Sequence, residues 1–398
     1  MSLVKNSDDL LVATAKQCQL DGGTLPKGSD LGDAALFRLD SGFVQARGST
    51  EITSFNDLAI KKVPVSPPKA NEVLVKTYAV SLQYRDLSIA SGKYPRALPP
   101  NLVPCSDMAG EVIAVGEDVK EWKVGDRVCA NFIQDKLHDD SPSELILSGS
   151  VHDVLTEYRN FPAQTLVSIP DHLSYEEAST LPCAAVTAYN ALLSGFEPLK
   201  AGDTVLIQGT GGTSIFALQF AVASGATVIA TSSSDEKLRI ATKLGARHVI
   251  NYRTTPDWAA EVLKLTNGVG VDRVIEVVGN ASLAQSLAAV RKGGNIELIG
   301  ILGGLGDVPA VDVVGPSIFK AIKIRGVFTA FRPRLERDMS RRMEPLPRQL
   351  HVPRHVLRLP ELAYVFNVEV RLGASSRLVI DVTSRLDAAR HRLRLGAG

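Results

Sequence analysis

Hydrophobic positions along the chain fall into two textures. From about residue 43 to 170 they come in short runs closed off by glycine, proline and aspartate. Residues 73–80, 111–115 and 126–130 are such runs, with Gly116 and Gly125 at turns between them, and they predict a compact β domain. After Pro170 the pattern changes to apolar strand, helical period, apolar strand. Residues 204–208 predict a strand and 215–223 a helix ending at Ser224-Gly225. Strands over 227–231, 248–252, 273–278 and 295–299 then alternate with helices over 235–244, 258–266 and 283–290. Such alternation implies a parallel sheet with right-handed crossovers and helices on both faces, so the fold class is α/β, with a separate β-rich domain ahead of a doubly wound one.

Composition changes this picture little. At roughly 100–200 residues per domain, 398 residues suit two or three domains. Forty-four basic and 43 acidic side chains leave a formal charge of +1, which gives no case for nucleic acid or an anionic membrane as partner. Hydrophobic residues at 45% and charged ones at 22% exclude wholesale disorder. Cys18, Cys105, Cys129 and Cys183 form no C-x-x-C pair and suit reduced thiols. No apolar run reaches the ~18 residues of a membrane span, and Asp8 and Asp9 interrupt the apolar stretch near the N-terminus. A cytoplasmic protein with a small-molecule substrate is the expectation. Residues 1–40 read as a poorly ordered extension and 386–398 as a tail. Residues 331–398 hold 14 Arg, no Lys and seven acids, which reads as a solvated surface, with a polyanion-binding face as the alternative.

The candidate chemistry begins at Gln208-Gly209-Thr210-Gly211-Gly212-Thr213-Ser214, which follows a strand and opens a helix. That is the context of a dinucleotide loop: Gly209 permits the turn, Gly211 and Gly212 let backbone amides approach a pyrophosphate, and Ser214 is small enough for close packing. The next strand ends Thr231-Ser232-Ser233-Ser234 with Lys237 one turn along, where NAD-binding domains carry an acid. Hydroxyls and a cation there favour a 2′-phosphate, hence NADP(H). The alternative is that Ser234 or Asp235 caps the helix and Lys237 is solvated. No Walker loop is present, and Phe216 breaks a G-x-S-x-G elbow at Ser214, so neither a kinase nor a hydrolase is indicated.

Further motifs are residues 71–76 (NEVLVK), 81–87 (SLQYRDL), 106–112 (SDMAGEV), 124–128 (VGDRV), 181–189 (LPCAAVTAY) and 201–205 (AGDTV). With the order of the parts they resemble the medium-chain dehydrogenase/reductase superfamily, from about residue 43 to 381. The chain looks most like the zinc-free alcohol dehydrogenase-like and quinone oxidoreductase branch. The resemblance implies a GroES-like catalytic domain over 41–170, completed by 332–385, and a Rossmann NADP-binding domain over 171–331. The positions that hold the catalytic zinc in zinc-dependent members fall on Gln83, Ser106 and Cys183. Amide and hydroxyl groups are poor zinc ligands, so no metal is expected. His138 and His152 form no H-E-x-x-H pattern.

Other roles follow only from the resemblance. Tyr252 joins the serines and Lys237 at the 2′-phosphate, Thr187 borders the nicotinamide, and Val278 with Gly300 and Leu302 lines its ring. Gln83, Tyr84, Arg85 and Ser88 face the cleft, and the first three are the catalytic candidates. Tyr84 is the candidate donor to the substrate oxygen, a packed tyrosine without catalytic role being the alternative. Asp86 and Asp107 read as loop-holding residues. The implied activity is hydride transfer from NADPH to a quinone, an activated alkene or a carbonyl. The alternatives are an enoyl-type tailoring reductase of a biosynthetic pathway and a cofactor-binding protein that lacks catalysis. A homodimer is a family-level expectation. The residues at 339–356 and 376–380 match the family pattern poorly.

Overall fold

The computed structural model describes residues 40–46, 58–90, 92–94, 98–99, 102–135, 146–147, 154–304 and 310–329, with short stretches at 356–358, 372–373 and 377–378. The expected extension up to residue 39, the tail after residue 385, His138, His152 and almost all of the Arg-rich segment lie outside the described residues.

Two sheets organise the described chain. The first is antiparallel. Its central pair is β3 (Glu72–Ser81) and β4 (Asp107–Val115), continued by β5 (Arg127–Ala130) and β7 (Leu166–Ser168) on one side. On β3 the order closes with β14 (Val356–Arg358) and β6 (Tyr158–Pro162), so the chain returns to this sheet after the second one is complete. A two-stranded ribbon, β1 (Asp40–Ala46) with β2 (Leu58–Pro64), precedes it. Gly110 of β4 pairs with Thr77 of β3. A Cβ there would lie 2.2 Å from the Lys76 carbonyl oxygen, so only glycine allows the approach. Val73, Val75, Val80, Val112, Val128 and Phe161 form the lobe's core.

The second sheet has six parallel strands: β8 (Thr204–Gln208), β9 (Thr227–Ser232), β10 (His248–Asn251), β11 (Val271–Glu276), β12 (Val290–Leu298) and β13 (Lys323–Gly326). Their order across the sheet is β10-β9-β8-β11-β12-β13. It reverses between β8 and β11, and ligands of open α/β sheets bind at such a switch point. Successive side chains of one strand serve opposite faces. Val205 and Ile207 join one cluster, with Phe216 and Phe220 of the helix Gly212–Ala223. Leu206 joins the other, with Trp258 and Val262 of the helix Trp258–Leu265 and Leu283 and Leu287 of Asn280–Ala289. The first cluster also takes in Ala109, Cys129, Val167 and Ile169 of the antiparallel lobe, so the two lobes share apolar core.

Element boundaries differ from expectation for local reasons. The helix after β8 starts at Gly212 because Gly211 is its N-cap. β11 stops at Glu276, two residues early, because the Glu276 side chain accepts the backbone amides of Val278 and Gly279, and Gly279 adopts φ +87°. Between the helices Tyr175–Ser179 and Val186–Leu193 lies a π-helical turn, Leu181–Ala185, that the sequence pattern did not announce.

Candidate active site

Three distant segments meet at Asp107. Gln83 follows β3 and precedes the helix Tyr84–Ala90, Ser106 precedes β4 and Asp107 opens it, and Cys183 lies in the π-helical turn. Gln83 Nε2 donates to Asp107 Oδ2 at 2.7 Å, the Ser106 hydroxyl donates to Oδ1 at 2.5 Å, and the Cys183 amide donates to Oδ2 at 3.2 Å. Burial pushes the Asp107 carboxyl up to about 7, against the opposing hydrogen bond from Ser106 and the Arg85 charge. Cys183 is partly exposed as a residue, yet desolvation of its thiol, with the Asp107 carboxylate next to it, pushes that group up to about 12. Asp107 is therefore a hub, joining side chains as well as the loop backbone that the sequence reading assigned to it. The three positions aligned with a zinc site are organised around this carboxylate, and among the described residues no three His, Cys, Asp or Glu side chains are grouped to hold a metal ion.

The neighbouring candidates divide. Gln83 also lies 3.5 Å from the Ser81 hydroxyl through Nε2, so its amide nitrogen is committed to protein partners. A role for that nitrogen as donor to substrate competes with these bonds, whereas the amide oxygen can act as an acceptor. Arg85 lies with its guanidinium 4.4 Å from the centre of the Phe132 ring and 4.0 Å from Asp86. Asp86 accepts the Gln83 backbone N–H at 2.7 Å, holding the turn as expected. Tyr84 is 57% exposed, which leaves its hydroxyl accessible. Phe132 meets Phe328 edge to face at 6.0 Å, an aromatic contact between distant segments that the sequence did not reveal.

The dinucleotide loop has the geometry its glycines suggest. Gly209 takes φ +72°, and its amide donates to the Thr231 carbonyl at 2.8 Å. Gly211 has φ −75° and ψ 176°, which any residue adopts, and nothing stands within 4 Å of a Cβ placed there. Neither strain nor packing requires glycine at 211. What a side chain would occupy is the open space above the helix N-terminus, whose N-cap makes no side-chain bond. Open space at a helix N-terminus is what a pyrophosphate requires. At Gly212 a Cβ would meet Ala184 at 3.4 Å, so the helix start abuts the turn before Thr187. Ser214 points inward, donating to the Gln208 carbonyl at 2.7 Å. It closes the turn and offers nothing to a ligand.

At the adenosine end, Ser232 is the last residue of β9, and its carbonyl accepts the Tyr252 amide at 3.0 Å. Asn251 stands beside it in register. Ser233 and Lys237 are half-buried and Tyr252 is exposed. Ser234 occupies the N-cap of the helix Asp235–Lys243 but makes no capping bond, and Asp235 is held by Asn251 Nδ2 at 2.7 Å. At the other end, Thr187 is buried in the helix Val186–Leu193, directly after the turn that holds Cys183. The Gly303 amide donates to the Val278 carbonyl at 2.8 Å, which brings the loop around Gly300 and Leu302 onto Val278.

Comparison with known proteins agrees with this geometry. Residues 69–171 match the family model described as an alcohol dehydrogenase GroES-like domain, and residues 212–344 match the model described as zinc-binding dehydrogenase. A zinc-type alcohol dehydrogenase-like protein of Schizosaccharomyces pombe is 48% identical over 286 residues, covering 70% of this chain and 82% of that protein. The chain belongs to the medium-chain dehydrogenase/reductase superfamily. Among solved structures, an NAD-dependent alcohol dehydrogenase shares 30% identity with this dehydrogenase/reductase at a TM-score of 0.68, covering 76% of this chain and 89% of the other. The quinone oxidoreductase of Escherichia coli, solved with NADPH, shares 25% identity at a TM-score of 0.60, covering 74% and 84%. This dehydrogenase/reductase is accordingly an oxidoreductase with a GroES-like domain, a Rossmann domain and a nicotinamide cofactor.

Proposed function

We propose that this protein passes a hydride from NADPH to a quinone, an activated alkene or a carbonyl, without zinc. The observation that carries the reading is the Asp107 cluster. Its amide and hydroxyl partners are poor zinc ligands, and Cys183 is the one soft donor among the three aligned positions. The bound nicotinamide supplies the hydride. Gly209, Gly211 and Gly212 hold the pyrophosphate, and Ser232, Ser233, Lys237 and Tyr252 favour a 2′-phosphate. Thr187, Val278, Gly300 and Leu302 border the nicotinamide. Tyr84 donates to the substrate oxygen as it gains charge, and Gln83 offers its carbonyl as an acceptor. Neutral donors stabilise developing charge less than a divalent ion does. Acceptors that delocalise charge should therefore react faster than simple ketones, and oxidation of plain alcohols should be slow.

Two measurements test the reading. Protein stripped by chelation, with its zinc content measured, should still oxidise NADPH with a simple quinone or enone; loss of turnover on removal of stoichiometric zinc refutes the zinc-free chemistry, and no turnover with any such acceptor favours a protein without catalysis. Fluorescence titration should show tighter binding of NADPH than NADH, and Lys237→Ala should weaken NADPH about tenfold with little effect on NADH. Tighter NADH binding in the parent refutes the cofactor choice.

The partner we propose is a second copy of this chain. The reading is supported by β13, which ends the parallel sheet, and by the adjacent helix Val314–Phe319, where Val314, Ile318 and Phe319 are exposed. A reducing cytoplasm suits the free Cys105, Cys129 and Cys183. Among the described residues, no helix is long and apolar enough to cross a membrane.

A further inference from the structure

We infer that Glu276 is a positioning residue that joins the pyrophosphate loop to the nicotinamide loop, so that one buried carboxylate sets both halves of the cofactor cradle. The inference rests on the reading of these loops as a dinucleotide site. Glu276 is the last residue of β11 and Gln208 the last of β8, the two strands that flank the switch point. Glu276 is fully buried. Its Oε1 accepts the Val278 amide at 2.9 Å, the Gly279 amide at 3.0 Å and the Ser282 hydroxyl at 2.7 Å. Its Oε2 accepts Gln208 Nε2 at 2.7 Å and the Ser286 hydroxyl at 2.5 Å.

Gln208 carries the tie onward. Its backbone carbonyl accepts the Ser214 hydroxyl at 2.7 Å, and its Oε1 accepts the Val277 amide at 3.2 Å. Gly209 is the next residue, so the start of the pyrophosphate loop and the Val278-Gly279 turn share one hydrogen-bonded centre.

The choice of residue matters here. A carboxylate accepts at both oxygens, so it can take donors from the two loops at once. Glutamine accepts on one side only. These five partners of Glu276 are all neutral donors, and a buried charge held by neutral donors is a costly way to fill a core. The cost is understandable if the geometry it imposes is what the site needs.

The test uses Glu276→Gln and the reciprocal pair Glu276→Gln with Gln208→Glu. In the single variant the amide oxygen still serves Val278 and Gly279, but its nitrogen faces Gln208 Nε2, donor against donor. In the pair, the carboxylate introduced at position 208 accepts from the new amide and from the Val277 amide, which rebuilds the tie. Isothermal titration measures three ligands: NADPH, NADH, and the pyrophosphate-free fragment of whichever binds the parent, 2′-AMP or adenosine. Glu276→Gln should weaken the dinucleotide about tenfold or more, leave the fragment within about twofold, and regain most of the affinity in the reciprocal pair. Unchanged dinucleotide affinity in the single variant overturns the inference alone. So does equal weakening of dinucleotide and fragment that the pair does not restore, because that pattern marks a general loss of fold. If the single variant fails to fold, the pair decides: parental affinity supports the coupling, weakened affinity or failure to fold overturns it. A parent that binds neither dinucleotide overturns the cofactor reading and this inference with it.

Discussion

Burial that lifts the Asp107 carboxyl from 3.8 to about 7 also makes stability depend on pH through this one side chain. Because the folded pKa is raised, the folded state holds the proton more tightly than the unfolded chain does. The contribution is fully present below the unfolded value and is lost as pH rises through about 7. The melting temperature of the parent should thus fall relative to Asp107→Asn between pH 5 and pH 8, measured by calorimetry; parallel curves would remove the carboxyl from the account. At Tyr84 the expected effect is on turnover. Tyr84→Phe removes an exposed hydroxyl and no packing, so kcat should drop about tenfold or more with the melting point unchanged. Equal turnover in the two proteins leaves Tyr84 a surface residue.

At the level of the loop and helix, two glycines near the cofactor make opposite predictions. Gly211 has ordinary dihedrals and open space where a Cβ would stand, so Gly211→Ala should change stability by less than about 0.5 kcal/mol. The methyl would nevertheless project into the space assigned to the pyrophosphate, and dinucleotide affinity should fall. Gly300 is crowded instead: a Cβ would lie 2.2 Å from the Val277 carbonyl oxygen. Gly300→Ala should cost roughly 1–3 kcal/mol of stability by overpacking and weaken the dinucleotide as well. Chemical denaturation and titration on both variants separate the cases; a destabilised Gly211→Ala with normal binding would contradict the assignment of that space.

The whole molecule is tied behind the sheet by Arg273, Glu297 and Arg325. Arg273 donates to Glu297 at 2.9 Å and Arg325 at 2.7 Å, while Arg273 also reaches the Ala191 and Glu197 carbonyls and Arg325 the Asn190 carbonyl. Strands β11, β12 and β13 are thereby fastened to the helix Val186–Leu193 that carries Thr187. Burial pulls Arg273 down and pushes Glu297 up from their usual values, while the charges of Arg325 and Arg273 hold Glu297 in the opposite direction. Glu297→Ala leaves the buried Arg273 and the partly buried Arg325 without their carboxylate and should cost about 3–5 kcal/mol, read by urea denaturation; a loss under about 1 kcal/mol would show that water reaches the cluster. On the outside, Phe319 is 82% exposed beside the edge strand. Light scattering should give a dimer for the parent and a monomer for Phe319→Asp, and a monomeric parent would end the proposal of a second copy as partner.

Much of this architecture is legible in the chain because its signals are local. The run Thr204–Gln208 is apolar enough to be buried on both faces, the glycines of 209–212 follow it at once, and the next strand ends in serines without an acid. Each of those signals needs only a few neighbouring residues. The Asp107 hub could not be read that way, since a side-chain partner arrives from Gln83 and a backbone partner from Cys183, 24 and 76 positions away. The same holds for Glu276 and Gln208, whose meeting depends on β11 pairing beside β8 across 68 residues. Gln83 shows the difference most clearly. Its place beside the cleft followed from the resemblance of the motif around it. That its amide nitrogen is held by a buried carboxylate was decided only when folding set Asp107 against it.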